Sequence, residues 1–177
     1  LVVSRGEALV VDPQRDVEHY LRDAQALGAK IRYVVLTHTN ADFVAGHTEL
    51  ASRAGAQILI SAESGSQFAH RGMRDGESVT FDDVTLTVID LGPSESPHDS
   101  PWILGDDSKT VFLGDQIYDH KHCYLADGFY VEWLANIEKL GGRGSRGLSP
   151  SPTRDSHSAR NHARFVSLGG VLTSRPE

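Results

Sequence analysis

Cysteine is almost missing from this chain: Cys123 is the only one among 177 residues. No disulfide can therefore form within it, and a small oxidised scaffold is excluded. A reducing, cytoplasmic setting is the expectation. Nowhere do about 18 apolar residues run together, the length a spanning helix needs. The first residues, Leu1-Val2-Val3-Ser4-Arg5-Gly6, lack the basic, apolar and small-residue order of a secretory leader. Neither a membrane nor an export route is expected, although without an initiator Met the true N-terminus stays open. Positive charge is short as well, with 17 Lys and Arg against 24 Asp and Glu for a net charge of −7. The basic residues are scattered and form no stripe to collect phosphates, so nucleic acid is not an expected partner. What remains is a chain expected to act on a small molecule, with nothing to fix its oligomeric state.

What is present suffices for one cored domain, since 39% of the residues are hydrophobic and 23% charged. Ala8-Leu9-Val10-Val11 reads as a buried strand stopped by Asp12-Pro13. Asp16 to Leu27 reads as a helix, with Val17, Tyr20, Leu21, Ala24 and Leu27 at spacings of three and four and Gly28 as its stop. A strand from Ile31 to Leu36, a helix from Phe43 to Ala54 closed by Gly55, and a strand from Gln57 to Ile60 continue the alternation. From Glu77 onward the texture is antiparallel: Val79 to Phe81, Val84 to Ile89, Trp102 to Leu104 and Thr110 to Leu113 are β-rich runs separated by Asp, Gly and Ser. Glu132 to Leu140 reads as a helix with Trp133, Leu134, Ile137 and Leu140 on one face.

Residues 1 to 141 are thus read as one domain, and 142 to 177 as a Gly, Ser, Arg and Pro-rich tail, disordered or atypical. Only Phe165 to Leu168 and Val171-Leu172 offer strand character there. The tail's His157 and His162 have no metal-like flanks.

The chemistry concentrates where strands end. Metals of the zinc and iron type want imidazole and carboxylate donors converging from a rigid scaffold, with one position left open. His38 directly follows the buried run Tyr33-Val34-Val35-Leu36, and Asp42 comes four residues later at the expected start of a helix. A second apolar strand ends in Leu113-Gly114-Asp115. Taken singly, Asp42 is as well read as a helix N-cap and Asp115 as a turn residue. Together with His38 they form a donor set.

The chain resembles the metallo-β-lactamase-fold superfamily, whose signature is a strand followed by H-x-H-x-D-H, a later P-G-H-T-like loop, a strand-G-D segment and a terminal P-G-H-G-like loop. Val35-Leu36-Thr37-His38-Thr39-Asn40-Ala41-Asp42-Phe43 matches the first element and Val111-Phe112-Leu113-Gly114-Asp115 the third. The stretch from Gly6 to Asp16 resembles the family's early hairpin. The resemblance implies an α+β fold, an αβ/βα four-layer sandwich, here incomplete at the C-terminus. It implies His38 as a ligand of a first metal, Asp42 as a ligand of a second and Asp115 as a bridge between them, with one or two zinc ions or alternatively iron. Asn40 and Phe43 stand where the family has histidines. In the P-G-H-T position, Pro93-Ser94-Glu95-Ser96-Pro97-His98 offers Glu95 or His98. The terminal element is absent. His122, within a G-D, His, L-A-D-G, W-L arrangement similar to some of these hydrolases, is a further site candidate, against its plain reading as a surface loop residue.

Three functions follow from the resemblance. The first is a metal-dependent hydrolase of esters, thioesters or lactones, with Asp42 orienting the attacking water or taking its proton. The second is a mononuclear iron enzyme similar to the persulfide dioxygenases. The third is a non-catalytic, vestigial member of the superfamily.

Overall fold

A computed structural model of the chain describes residues 1–39, 44–105, 110–118, 122–142 and 165–167. Two five-stranded sheets organise it. In the first, β1 (Val2–Ser4) and β2 (Glu7–Val11) form an antiparallel hairpin. β3 (Lys30–Val35), β4 (Gln57–Ser61) and β5 (Arg71–Met73) continue in parallel, in the spatial order β1-β2-β3-β4-β5. Helices α1 (Glu18–Ala26) and α2 (His47–Ala54) make the crossovers from β2 to β3 and from β3 to β4. The second sheet is antiparallel throughout: β6 (Ser78–Phe81), β7 (Val84–Val88), β8 (Trp102–Leu104), β9 (Thr110–Phe112) and β10 (Phe165–Ser167), in the order β10-β9-β8-β7-β6. A third helix, α3 (Tyr130–Gly142), follows the second sheet's first four strands.

The near-continuous apolar runs of β2, β3 and β4 follow from burial on both faces. Ala8, Val10, Val34, Ile58 and Ile60 pack towards Val17, Ala24 and Leu50 of the helical side. Leu9, Val35 and Leu59 point the other way, into a second core shared with Val79, Phe81, Leu86, Val88, Trp102 and Phe112. That second core lies between the two sheets, as the sandwich requires. In the second sheet the alternation is of one buried face only, with Leu86 and Val88 inward and Thr85 and Thr87 half-exposed. Among the described residues no helix is long and apolar enough to cross a membrane.

Three elements differ from the sequence reading. Helix α2 begins at His47 and not at Phe43. The backbone just before it is taken by the β2–α1 connection: Ala45 bridges Gln14, and Gly46 N donates to Pro13 O at 2.9 Å. A Cβ on Gly46 would run into Gln14 O and Val17, so this close approach needs a glycine. Strand β5, short, polar at Arg71 and interrupted by Gly72, carries no strand periodicity and was not expected. The third difference is the face that α3 presents. Trp133 and Asn136 are buried, whereas Leu134 is 64% and Ile137 39% exposed. Polar anchors set this orientation, because the Trp133 indole donates to Gln116 O at 3.1 Å and the Asn136 amide to Pro93 O at 2.8 Å.

Of the tail, the stretch expected to favour a strand does so at Phe165–Ser167, paired antiparallel with β9. Residues 143–164 and 168–177, with the disorder expected there and with His157 and His162, lie outside the described residues.

Candidate metal centre

The ends of three strands and one loop converge at one end of the sandwich. β2 delivers Asp12, β3 delivers Thr37 and His38, β9 delivers Asp115 through a single 3-10 turn at Gly114–Gln116, and the β7–β8 connection delivers Glu95 and Asp99. The loop is sewn to β3, since Ser100 N donates to Thr37 O at 2.7 Å and the Trp102 indole to Leu36 O at 3.1 Å. Its own arms pair at Gly92 and Asp99, and Ser94 N reaches Ser96 O at 2.9 Å, which leaves Glu95 at the tip of a tight turn. Asp99 closes that turn from below, accepting from Ser96 N at 2.8 Å and Ser96 Oγ at 3.0 Å.

His38, Glu95 and Asp115 each bring a donor atom within 4.8 Å of the others. His38 is 5% exposed, and the two carboxylates are half-buried. Of the other expected donors, Asp42 and its neighbours Asn40 and Phe43 lie outside the described residues. His98 is half-buried and His122 exposed; neither belongs to the converging group.

Two residues that the sequence reading missed complete the surroundings. Asp12 Oδ1 accepts from Thr37 N at 2.9 Å, Asp12 Oδ2 accepts from Thr37 Oγ1 at 2.7 Å, and Thr37 Oγ1 lies 2.8 Å from His38 Nδ1. A hydroxyl has one proton, and here it is given to the carboxylate, so the imidazole must donate its own Nδ1 proton to Oγ1. That leaves the Nε2 lone pair of His38 as its free donor, the state in which a histidine ligates. Asp12 holds this chain with a left-handed backbone, φ 44°. The second missed residue, Asp99, is 1% exposed and accepts through Oδ2 from Ser96. The only local sign of Asp12 was its position at the end of a strand, where a strand-stopping reading served equally well.

Electrostatics follow from this crowding. Burial pushes the Asp12 and Asp99 carboxyls up, and His38 partly opposes the shift. Glu95 is pushed up to about 7, by burial first and then by Asp115, Asp99 and Asp127, against the pull of His38. Burial alone would lower the His38 pKa, but Asp12, Asp99, Asp115 and Glu95 outweigh it and raise it.

Glu95 and His38 thus have folded-state pKa values above their unfolded ones, 4.5 and 6.5. Each contributes stability that is present below the unfolded value and lost as pH rises through the folded one. The metal-free protein is therefore expected to melt at progressively lower temperature as pH climbs from about 5 to 8, at about 2–4 °C per kcal/mol lost in a chain of this size. A divalent cation should restore Tm most strongly at the alkaline end. Calorimetry in chelator across that window checks this; a Tm that rises towards pH 8 without metal would refute it.

The profile of the metallo-beta-lactamase superfamily matches residues 1–128. Persulfide dioxygenase ETHE1, mitochondrial, of Mus musculus is 36% identical over 115 residues, covering 63% of this chain and 43% of that protein. Hydroxyacylglutathione hydrolase of Methylobacillus flagellatus is 30% identical over 142 residues, covering 79% of this chain and 55% of that protein. The chain spans about half the length of these curated relatives. A metallo-beta-lactamase from Pontibacter korlensis superposes with a TM-score of 0.70 at 19% identity, covering 83% of this chain and 74% of that one, a likeness of fold. Paired sheets with outer helices, donors gathered at the strand ends and a family match over most of the length lead to one conclusion: the chain belongs to the metallo-beta-lactamase superfamily.

Proposed function

We propose that this protein holds one divalent metal ion between His38, Glu95 and Asp115 and uses it to hydrolyse an ester, thioester or lactone of a small molecule. The observation that carries this reading is the convergence of those three donors within 4.8 Å. The residues suit such an ion by their chemistry: one imidazole held with Nε2 free, and two carboxylates beside it, of which Glu95 is pushed up to about 7 chiefly by burial. Zinc and iron both accept this donor set. A second ion lacks support, because Phe43 has no donor atom where the superfamily motif places a histidine.

The chemistry such an ion supplies is Lewis acidity, which polarises a carbonyl oxygen and lowers the pKa of water. The protein's own groups do the rest. Thr37 and Asp12 keep the His38 proton on Nδ1. The Tyr118 hydroxyl donates to Asp115 Oδ2 at 3.5 Å and helps to orient that carboxylate. Asp42 is assigned as the group that orients the attacking water or takes its proton, on the strength of the sequence motif.

A second reading, oxidation of a persulfide at a single iron, is favoured by the one-ion donor set together with the 36% identity to a persulfide dioxygenase. Elemental mass spectrometry of the purified protein, beside a His38→Ala, Asp115→Ala double variant, tests the site. About one ion per chain in the wild type and none in the variant is expected. Thioester or lactone cleavage, measured beside oxygen uptake with glutathione persulfide, separates the two activities. Wild-type protein that is folded, free of metal and silent in both assays would leave only the vestigial reading.

A further inference from the structure

One face of α3 touches both loops that carry the carboxylate donors. Trp133, Asn136 and Lys139 follow one another at three-residue intervals, so their side chains lie along one stripe of the helix. The Trp133 indole donates to Gln116 O at 3.1 Å, next to Asp115. The Asn136 amide donates twice, to Pro93 O at 2.8 Å and to Ser94 Oγ at 2.9 Å, next to Glu95. Lys139 reaches Asp90 O at 3.2 Å, further from the tip of the loop. Ser94 is 2% and Asn136 8% exposed, so neither partner has water as a ready substitute. Like charges from Asp115 and Asp99 lie close to the half-buried Glu95 and oppose the pull of His38, so the bonds that hold the loop tip set its distance from Asp115.

We infer that α3 acts as a ruler between the two loops, and that Asn136 is a positioning residue that holds Glu95 at binding distance from Asp115. This rests on the single-ion site proposed above. It assigns a role to a helix residue in neither the strand ends nor the superfamily motifs, and it accounts for a buried asparagine on a helix whose Leu134 and Ile137 are turned to solvent.

The test is a double-variant cycle on the full chain, with Mn2+ affinity read directly by electron paramagnetic resonance and folding followed by circular dichroism. Asn136→Leu keeps the side chain's bulk and removes its donor. It is expected to weaken Mn2+ binding about 10-fold, in the range found for residues that orient metal ligands. In a Glu95→Ala background the same substitution should change affinity less than about 2-fold, since the residue it positions is gone. Lys139→Ala, which removes an anchor away from the tip, should leave affinity near wild type. Equal losses from Asn136→Leu in both backgrounds, or no loss in the wild-type background, would overturn the inference while leaving the site intact. Wild-type protein that binds neither Mn2+ nor Zn2+ would overturn the site reading, and this inference with it.

Discussion

Gly114→Ala is expected to destabilise the protein by about 2–5 kcal/mol and to displace the metal centre in the molecules that still fold. Two costs add. Gly114 sits at φ +59°, a left-handed conformation that a residue with a Cβ adopts only at a penalty of about 1–2 kcal/mol. A Cβ built there would also lie 2.5 Å from Thr37 Oγ1, 2.9 Å from Thr37 Cβ and 3.3 Å from His38 Nδ1. Those neighbours cannot yield cheaply. Thr37 is 1% exposed, and its hydroxyl is committed to Asp12 on one side and His38 on the other. Overpacking of a buried site typically costs about 1–3 kcal/mol, against a total stability on the order of 5–15 kcal/mol.

The steric share can be isolated. Gly28 has a similar φ of +64°, and a Cβ there would meet nothing within 4 Å. Gly28→Ala therefore carries the conformational penalty without the collision and should cost only about 1–2 kcal/mol. Denaturant unfolding of both variants gives the comparison, and Mn2+ affinity of the folded Gly114→Ala protein reads the damage at the site. Equal losses in the two variants would show that the contact with Thr37 and His38 has no energetic weight.

The same contact shows how far the sequence could be read. His38 and Asp115 were visible because each ends an apolar run, and a polar donor that follows a buried strand must emerge at the sheet's edge. Glu95 was visible only by its position in a family loop; nothing in Pro93-Ser94-Glu95-Ser96 tells locally which side chain turns inward. The alternation of strands and helices in the first half and the antiparallel run in the second followed from hydrophobic spacing, which reports burial, whereas the two packed sheets were implied by the family resemblance. Spacing does not report who accepts from whom. Asp12 ends a strand just as an ordinary stop residue would, and its bonds to Thr37 span 25 positions of sequence. In α3 the apolar pattern pointed to Trp133, Leu134, Ile137 and Leu140 as one face; Trp133 is buried as expected, but Asn136 is buried with it while Leu134 and Ile137 are turned to solvent. Two specific hydrogen-bonded anchors outweighed the helix's hydrophobic stripe, a competition that no periodicity encodes. The start of α2 moved for a similar reason, because a partner strand segment at Pro13 and Gln14 took the backbone of Ala45 and Gly46 first.

Asp12→Asn should weaken metal binding more than Thr37→Val does, although it is the smaller chemical change. Thr37→Val removes the hydroxyl between Asp12 and His38 at almost constant volume. The imidazole then loses the acceptor for its Nδ1 proton, and affinity is expected to fall about 10-fold, towards the lower end for residues that orient a ligating histidine. Asp12→Asn acts differently. Thr37 N still needs an acceptor, so the new amide must present its oxygen there and its NH2 to Thr37 Oγ1. The hydroxyl, now an acceptor from Asn, gives its own proton to His38 Nδ1, and the ring proton moves to Nε2, the atom that would ligate an ion. Binding then requires that proton to be expelled or the whole chain of bonds to be broken, and a loss of about 100-fold is expected, at the upper end for such partners. Nitrogen NMR of the metal-free variants, at a pH above the raised His38 titration so that the ring is neutral, reads the tautomer independently of binding: Nδ1–H in the wild type and Nε2–H in Asp12→Asn. If both proteins show the same tautomer, or if Asp12→Asn binds Mn2+ as tightly as Thr37→Val, then Asp12 serves only to brace the end of β3 and the orientation of His38 has another source.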